Sequence, residues 1–239
     1  MKLDILAFAA HPDDAELGCG GTLLSHRAQG KTTGIIDLTR GELGTRGTPT
    51  TRAREASDAA KILGIAIREN LGFADGFFVN DRTHQLAIIA AIRRYRPEVV
   101  LANAPRDRHP DHGRAAQLVV DACFLAGLRR IETHNNNGEL QGEWRPKAVY
   151  HYIQDQYIKP DFVIDISAFM EEKIAAVKAF TSQFYNPASD EPETYISDKA
   201  FLERVYARAL NLGKPVGFQY AEGFIARRFT GLRNLFDLV

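Results

Sequence analysis

The residues of this 239-residue chain best suited to chemistry lie in two short stretches. The first is His11-Pro12-Asp13-Asp14-Ala15-Glu16, an imidazole followed closely by adjacent carboxylates. The second, far along the chain, is Pro105-Arg106-Asp107-Arg108-His109-Pro110-Asp111-His112, with two imidazoles three residues apart. Catalytic zinc sites commonly take three ligands from His, Asp, Glu and Cys and keep one position for water. His11, Asp14 and His112 make such a set. A bound cation brings the pKa of water to roughly 7, and a nearby carboxylate can take the proton as the water attacks. Asp13 is the candidate base. Adjacent residues outside regular structure project in different directions, so Asp13 and Asp14 can divide the two tasks; both as ligands is the other arrangement the pair permits. His109, within a turn of His112, is in reach of an oxyanion or a leaving amine, and Asp111 is placed to hold its ring. The expectation is a mononuclear metal hydrolase site. These ligand types suit iron(II), cobalt or manganese as well as zinc.

Either stretch alone says little, since paired acids are usually solvated and HxxH arises by chance at helix starts. What precedes each gives the pair weight. Leu3 to Ala10 and Val99 to Ala102 are apolar runs with the length and residue types of buried strands, and a strand end is a rigid mount. Proline is favoured at the first helical position, so Pro110 introduces a helix over Asp111 to Ala126 that fixes His112 at its start and leaves His109 in the loop before it. Between the clusters, Glu16 to Gln29 reads as a helix, Thr32 to Leu38 as a strand, and residues 40 to 50 as a glycine-rich loop able to cover a substrate. Thr51 is expected to cap a helix from Arg52 to Leu63. A strand from Ile67 to Leu71 and a helix from Thr83 to Tyr95, stopped by Pro97, complete the order β-α-β-α-β-α-β-α. That order predicts an α/β, Rossmann-like doubly wound fold, with a mainly parallel sheet and helices on both faces, forming a single domain over residues 1–239. In such a sheet the ligand crevice lies beyond the carboxyl ends of the strands, where both clusters would meet.

Residues 128 to 145 read as polar loop, with His134 on the surface. Lys147 to Ile153 and Phe162 to Ile166 read as strands, His151 being packed in the first. Ser167 is expected to cap a helix from Ala168 to Phe180. Tyr185 to Ser197 is a long loop able to reach the site as a lid, with Tyr195 as a candidate site residue. A helix from Asp198 to Leu212 follows, and Phe218 to Ala226 returns to the core carrying Glu222. Gly18, Gly20 and Gly21 occupy the turn where a nucleotide-binding Rossmann protein places its phosphate loop. However, GCGG lacks the GxGxxG spacing, and the acids upstream would repel a pyrophosphate. Close approach of helix to sheet is the preferred reading.

Composition narrows the classes further. Lys plus Arg and Asp plus Glu are both 30, which gives no electrostatic case for nucleic acid or an anionic membrane. No apolar run approaches a membrane span, and Asp4 interrupts the N-terminal apolar stretch, which reads as a strand rather than a signal peptide. Two cysteines, Cys19 and Cys123, are too few for a disulfide framework and fit a reducing cytoplasm.

The strings AHPDDAELGCGGTL, LTRGELGTRGT and PRDRHPDHGRA, in that order, resemble the PIG-L or LmbE-like family of zinc-dependent N-acetylglucosaminide deacetylases, and Phe180-Thr181-Ser182-Gln183 and Tyr220-Ala221-Glu222-Gly223-Phe224 extend the likeness. The resemblance implies His11, Asp14 and His112 as ligands of zinc, or of Fe2+ or another divalent ion. It further implies Asp13 as general base and His109, as an imidazolium, facing the tetrahedral intermediate. Arg52, in an Arg-x-x-Glu pattern with Glu55, is implied to bind substrate, the plain alternative being an Arg52–Glu55 surface salt bridge. Within the family the likeness is greatest to the bacillithiol-pathway enzymes that deacetylate N-acetylglucosaminyl malate, for which Arg52 and Arg108 would clamp the malate carboxylates. The partner expected is thus a small-molecule glycoside, and a homo-oligomer, such as a hexamer, is implied. Two other readings stay open: a deacetylase or amidase of another glycoside or thiol conjugate, and a non-catalytic carbohydrate-binding protein with a structural metal, which would need a fourth protein ligand.

Overall fold

The computed structural model describes residues 1–237. Its elements in chain order are β1 (Ile5–Ala9), α1 (Asp14–Ala28), β2 (Thr33–Thr39), α2 (Pro49–Leu63), β3 (Ile67–Phe73), α3 (Arg82–Tyr95), β4 (Val99–Ala102), α4 (Pro110–Ala126), β5 (Ala148–Tyr152), β6 (Phe162–Asp165), α5 (Met170–Lys178), α6 (Phe201–Gly213) and β7 (Ala221–Ala226). The strands form one seven-stranded sheet in the order β3-β2-β1-β4-β5-β7-β6. All neighbours from β3 to β5 are parallel, and β7 runs antiparallel between β5 and β6. This is the doubly wound, mainly parallel sheet that the alternation of strands and helices predicts.

Strand β1 is buried along its whole length because both faces are covered. Leu6 and Phe8 point into a cluster with Ile88 and Ile92 of α3 and Leu118 and Val119 of α4. Ile5, Ala7 and Ala9 face Leu23 and Leu24 of α1 on the other side. Helix α1 comes close to the sheet through its glycines. A Cβ on Gly18 would stand 2.2 Å from the Tyr152 ring, and one on Gly21 would stand 2.8 Å from Ile166. Gly18 and Gly21 therefore face packed side chains, which leaves no room there for a phosphate and accounts for both by packing, whereas a Cβ on Gly20 would meet only ordinary contacts, the nearest at 3.6 Å.

Several boundaries differ from expectation for local reasons. The cap of α2 is Thr48, whose hydroxyl accepts Thr51 N–H at 3.1 Å, with Pro49 at the first helical position. The helix expected from Ala168 begins as a 3-10 turn, Ser167–Phe169, and is α-helical only from Met170 to Lys178. Residues 185–197 contain no helix or strand, as the loop reading expects.

Candidate active site

Strand order turns back between β1 and β4, which both leave the N-terminal half of the chain side by side. Their carboxyl ends, with those of β2, β3 and β5, deliver His11 to Asp14, the 40–47 loop, Asp75, Asn103 to His112, and Gln154 to one edge. Asn103 braces the junction. Its Oδ1 accepts Ala10 N–H at 2.8 Å, and its Nδ2 donates to Asp14 Oδ2 at 3.0 Å. A cavity of about 220 Å3 opens there, lined by His11, Asp13, Asp14, Arg52, His109 and His112 among others. Larger hollows of about 590 Å3 beside α2 and β3 and about 580 Å3 beside α4 and β5 have no histidine in their walls, so size alone does not identify the site.

The Asp14 carboxylate spans two rings: its Oδ1 lies 3.2 Å from His112 Nε2 and its Oδ2 lies 3.5 Å from His11 Nδ1. Gln154 Nε2 donates to the same Oδ1 at 2.5 Å. The outer nitrogens of both rings face carboxylates. His112 Nδ1 is 2.7 Å from Asp107 Oδ2, and His11 Nε2 is 3.0 Å from Asp75 Oδ1 and 3.3 Å from Asp111 Oδ2. Carboxylates on the far side of metal-binding histidines fix the ring proton outward and the lone pair inward. Two groups of potential ligand atoms lie within 4.8 Å of one another among the described residues: His11, His109 and His112, and His11, Asp75 and Asp111. In the second group, Asp75 Oδ2 accepts Leu43 N–H at 2.9 Å, Asp111 Oδ2 accepts Gly76 N–H at 2.8 Å and Asp111 Oδ1 accepts Arg114 at 2.6 Å, so these acids are already engaged as holders. The inward side, with Asp14 between the rings, has the donor set that suits a divalent cation. Asp13, Asp14, Asp75, Asp107 and Asp111 crowd an edge where Arg52 and Arg114 are the arginines whose guanidinium groups touch them. Against the cost of burial, the facing carboxylates raise His11 well above the ordinary imidazole value and His112 to about 9, so two imidazoliums offset the excess of acid, a role a bound cation would take over.

Asp13 is buried and adopts a positive φ of 111°, a backbone conformation that non-glycine residues rarely take. Its surroundings hold it there. Leu17 N–H bonds to its carbonyl at 3.0 Å, while Arg52 donates to Asp13 Oδ2 at 3.1 Å and to the Pro12 carbonyl. Burial pushes the Asp13 carboxyl up to about 7, against the pull of Arg52, with Asp14 adding to the rise. A cation beside it would draw that value down.

His109 is the cap of α4, and its Nδ1 accepts the Asp111 backbone N–H at 3.3 Å. That bond leaves the ring proton on Nε2 and favours a neutral imidazole. Burial and the neighbouring His11 and His112 rings push its pKa down as well, so the expected imidazolium is disfavoured. The Asp111 carboxylate holds His11 rather than His109, because the side chain at the second position of the helix points across to β1 while only its backbone meets the cap.

Arg52 and Glu55 do not pair. Glu55 accepts from Thr181 Oγ1, Ser182 N–H and Ser182 Oγ, tying α2 to the Phe180–Gln183 stretch. Arg52 is buried against Asp13, and its Nε has no partner among the described residues. Arg108 stands half-exposed at the cavity rim, donating to Asp155 Oδ2 at 3.2 Å and stacked 4.5 Å from the Tyr195 ring. Tyr195 in turn donates to Asp155 Oδ1 at 3.2 Å, so the 185–197 loop does reach the site. His151 is buried with Nδ1 on the Asn103 carbonyl, and His134 is exposed in the 128–145 region. Sequence reasoning missed Asn103, Gln154, Asp75 and, as a holder of His112, Asp107. Asp107 alone carried a signal, through its place five residues before His112.

A mainly parallel sheet with a carboxylate–imidazole cluster at its switch point defines an α/β protein whose site residues are able to hold a divalent ion. The family model of PIG-L, GlcNAc-PI de-N-acetylase, matches residues 6–123. The chain is 30% identical to the diacetylchitobiose deacetylase of Thermococcus kodakarensis over 233 residues, covering 92% of this chain and 81% of that one. It belongs to the PIG-L family. A solved structure of a conserved protein from Thermus thermophilus superposes with a TM-score of 0.84 at 40% identity, over 97% of this chain and 98% of the other. A 4-oxalmesaconate hydratase of Pseudomonas putida is 27% identical over 74% of this chain and 73% of its own.

Proposed function

We propose that this protein is a divalent-metal-dependent de-N-acetylase acting on an N-acetylglucosaminide, with N-acetylglucosaminyl malate as substrate and zinc as the metal. The observation that carries the reading is the Asp14 carboxylate set between the inward nitrogens of His11 and His112, with Asp13 buried beside it. His11, Asp14 and His112 would hold the ion, which as a Lewis acid acidifies water and polarises a carbonyl. Asp13 accepts the proton of water as its oxygen bonds to the acetamide carbon. The carbonyl π electrons move to the oxygen, where His109 Nε2–H donates to the growing negative charge. As the electrons return, the C–N bond breaks, Asp13 gives the proton to the departing nitrogen, and acetate and a free amine result. Arg52 steadies Asp13 and, as a residue lining the cavity, is the candidate contact for a substrate oxygen. The cavity is smaller than the roughly 300–1,000 Å3 usual for drug-sized ligands, which suits one sugar with its aglycone at the rim beside Arg108. The acetylated amino sugar is further supported by the deacetylase relative.

The test is release of free amine from N-acetylglucosaminyl malate and from N-acetylglucosamine, with protein as purified, after chelation and after zinc return. Zinc-restored turnover favouring the malate glycoside is expected. Turnover of neither, with zinc bound, would refute the malate glycoside as substrate. Failure on diacetylchitobiose as well, the substrate named for the Thermococcus kodakarensis relative, would refute the deacetylase reading and turn attention to a hydratase reaction, as named for the Pseudomonas putida relative. Among the described residues no helix is long and apolar enough to cross a membrane.

A further inference from the structure

We propose that Asp75 is a positioning residue that couples the seating of the 41–47 loop over the cavity to the metal-binding form of His11; this rests on the reading of His11 as a ligand. A neutral imidazole has one ring proton. If His11 Nδ1 is to offer its lone pair inward, Nε2 must carry that proton, and the acceptor facing Nε2 decides whether it does. Two carboxylates face it, Asp75 at 3.0 Å and Asp111 at 3.3 Å, and they differ in what else they hold.

Asp111 is wholly buried, and its remaining capacity goes to Gly76 N–H and Arg114. Asp75 reaches to the entrance instead. Its Oδ2 accepts Leu43 N–H at 2.9 Å, its own N–H donates to Glu42 Oε1 at 2.9 Å, and Glu42 Oε2 accepts Arg40 N–H at 3.2 Å. Leu43 is 61% exposed and, with Gly44, lines the cavity. Its Cδ1 also closes on the turn after Asp75, standing 3.2 Å from where a Cβ on Gly76 would be. One carboxylate thus holds a histidine of the site through one oxygen and the backbone of the covering loop through the other. A carboxamide cannot serve both, because its NH2 must face either Leu43 N–H or His11 Nε2–H, donor against donor.

The experiment is amide hydrogen exchange of residues 40–47 with and without zinc, together with zinc affinity from competition with a chromophoric chelator, for wild type, Asp75→Asn and Asp111→Asn. Zinc is expected to slow exchange at Leu43 and Gly44 in the wild type. Asp75→Asn should bind zinc about 10–100-fold more weakly and lose that slowing at saturating zinc, whereas Asp111→Asn should weaken zinc binding and keep it. Zinc that leaves the wild-type loop unchanged overturns the proposal without any variant, as does Asp75→Asn with wild-type affinity and protection. Wild type that takes up no zinc overturns the ligand reading and this coupling with it. Zinc binding and loop protection without acetate release would leave the coupling standing and refute only the deacetylase activity.

Discussion

Midway along α1, Glu222 accepts Gly21 N–H at 2.9 Å, Thr22 N–H at 2.7 Å and Lys173 Nζ at 2.6 Å, and Lys173 also reaches the Leu17 carbonyl at 2.9 Å. At the start of the same helix, Asp13 and Asp14 stand among further carboxylates with Arg52 as their contacting arginine. Both clusters are buried. The first is neutral and each of its charges is closed by a partner, as a charge kept only for architecture must be. The second gathers more carboxylates than arginines, leaves the difference to two histidines whose pKa values are raised, and turns two imidazole nitrogens and a carboxylate toward one point. Buried charge alone therefore does not single out a candidate site in this fold; ligand-type groups converging on a cavity do.

The contrast breaks most decisively at His112. His112→Ala should leave no stoichiometric metal by elemental analysis and lower turnover to that of chelated wild type. Retained metal would remove His112 from the ligand set. Asp13→Asn should keep metal while turnover drops by about 10²–10⁴-fold, the usual worth of a general base. Metal loss in Asp13→Asn equal to that in His112→Ala would abolish the division between base and ligands. At the balanced cluster the effect should be on stability. Lys173→Met strands the Glu222 carboxylate and should cost about 3–5 kcal/mol in urea unfolding, with metal per folded molecule unchanged. A Lys173→Met protein of wild-type stability that has lost its metal would mean the two clusters work as one.

The residues proposed for these roles differed in how visible they were in the sequence. His11, Asp13, Asp14, His109 and His112 follow apolar runs whose strands end where expected, so motif and mount are read together. Asp75, Asn103 and Gln154 are single polar residues in loops or at strand ends, with no local period to set them apart. They join the site only through the sheet order, which depends on contacts between distant segments. The same holds for β7, whose sequence reads as a return to the core but does not say that it enters antiparallel between β5 and β6. The misplaced cap of α2 was legible in principle, since Pro49 at the first helical position points to Thr48. The Asp111 side chain was not, because a helix start offers His109 and His11 to it equally until β1 and β4 are known to be neighbours.

The smallest expected effect lies at the rim, where two arginines share one carboxylate and Arg108 is half-exposed. Arg108 is held by Asp155 and stacked on Tyr195, and Arg208 also contacts Asp155 at 3.4 Å. A substrate carboxylate would compete with Asp155 for a guanidinium already in water, so its gain is limited to the ~1 kcal/mol of a surface pair. Arg108→Ala should thus raise KM for the malate glycoside by no more than about fivefold and leave KM for N-acetylglucosamine unmoved. An equal rise for both substrates would show that Arg108 supports the Tyr195 wall rather than the aglycone, and malate recognition would then have to be sought elsewhere along the rim.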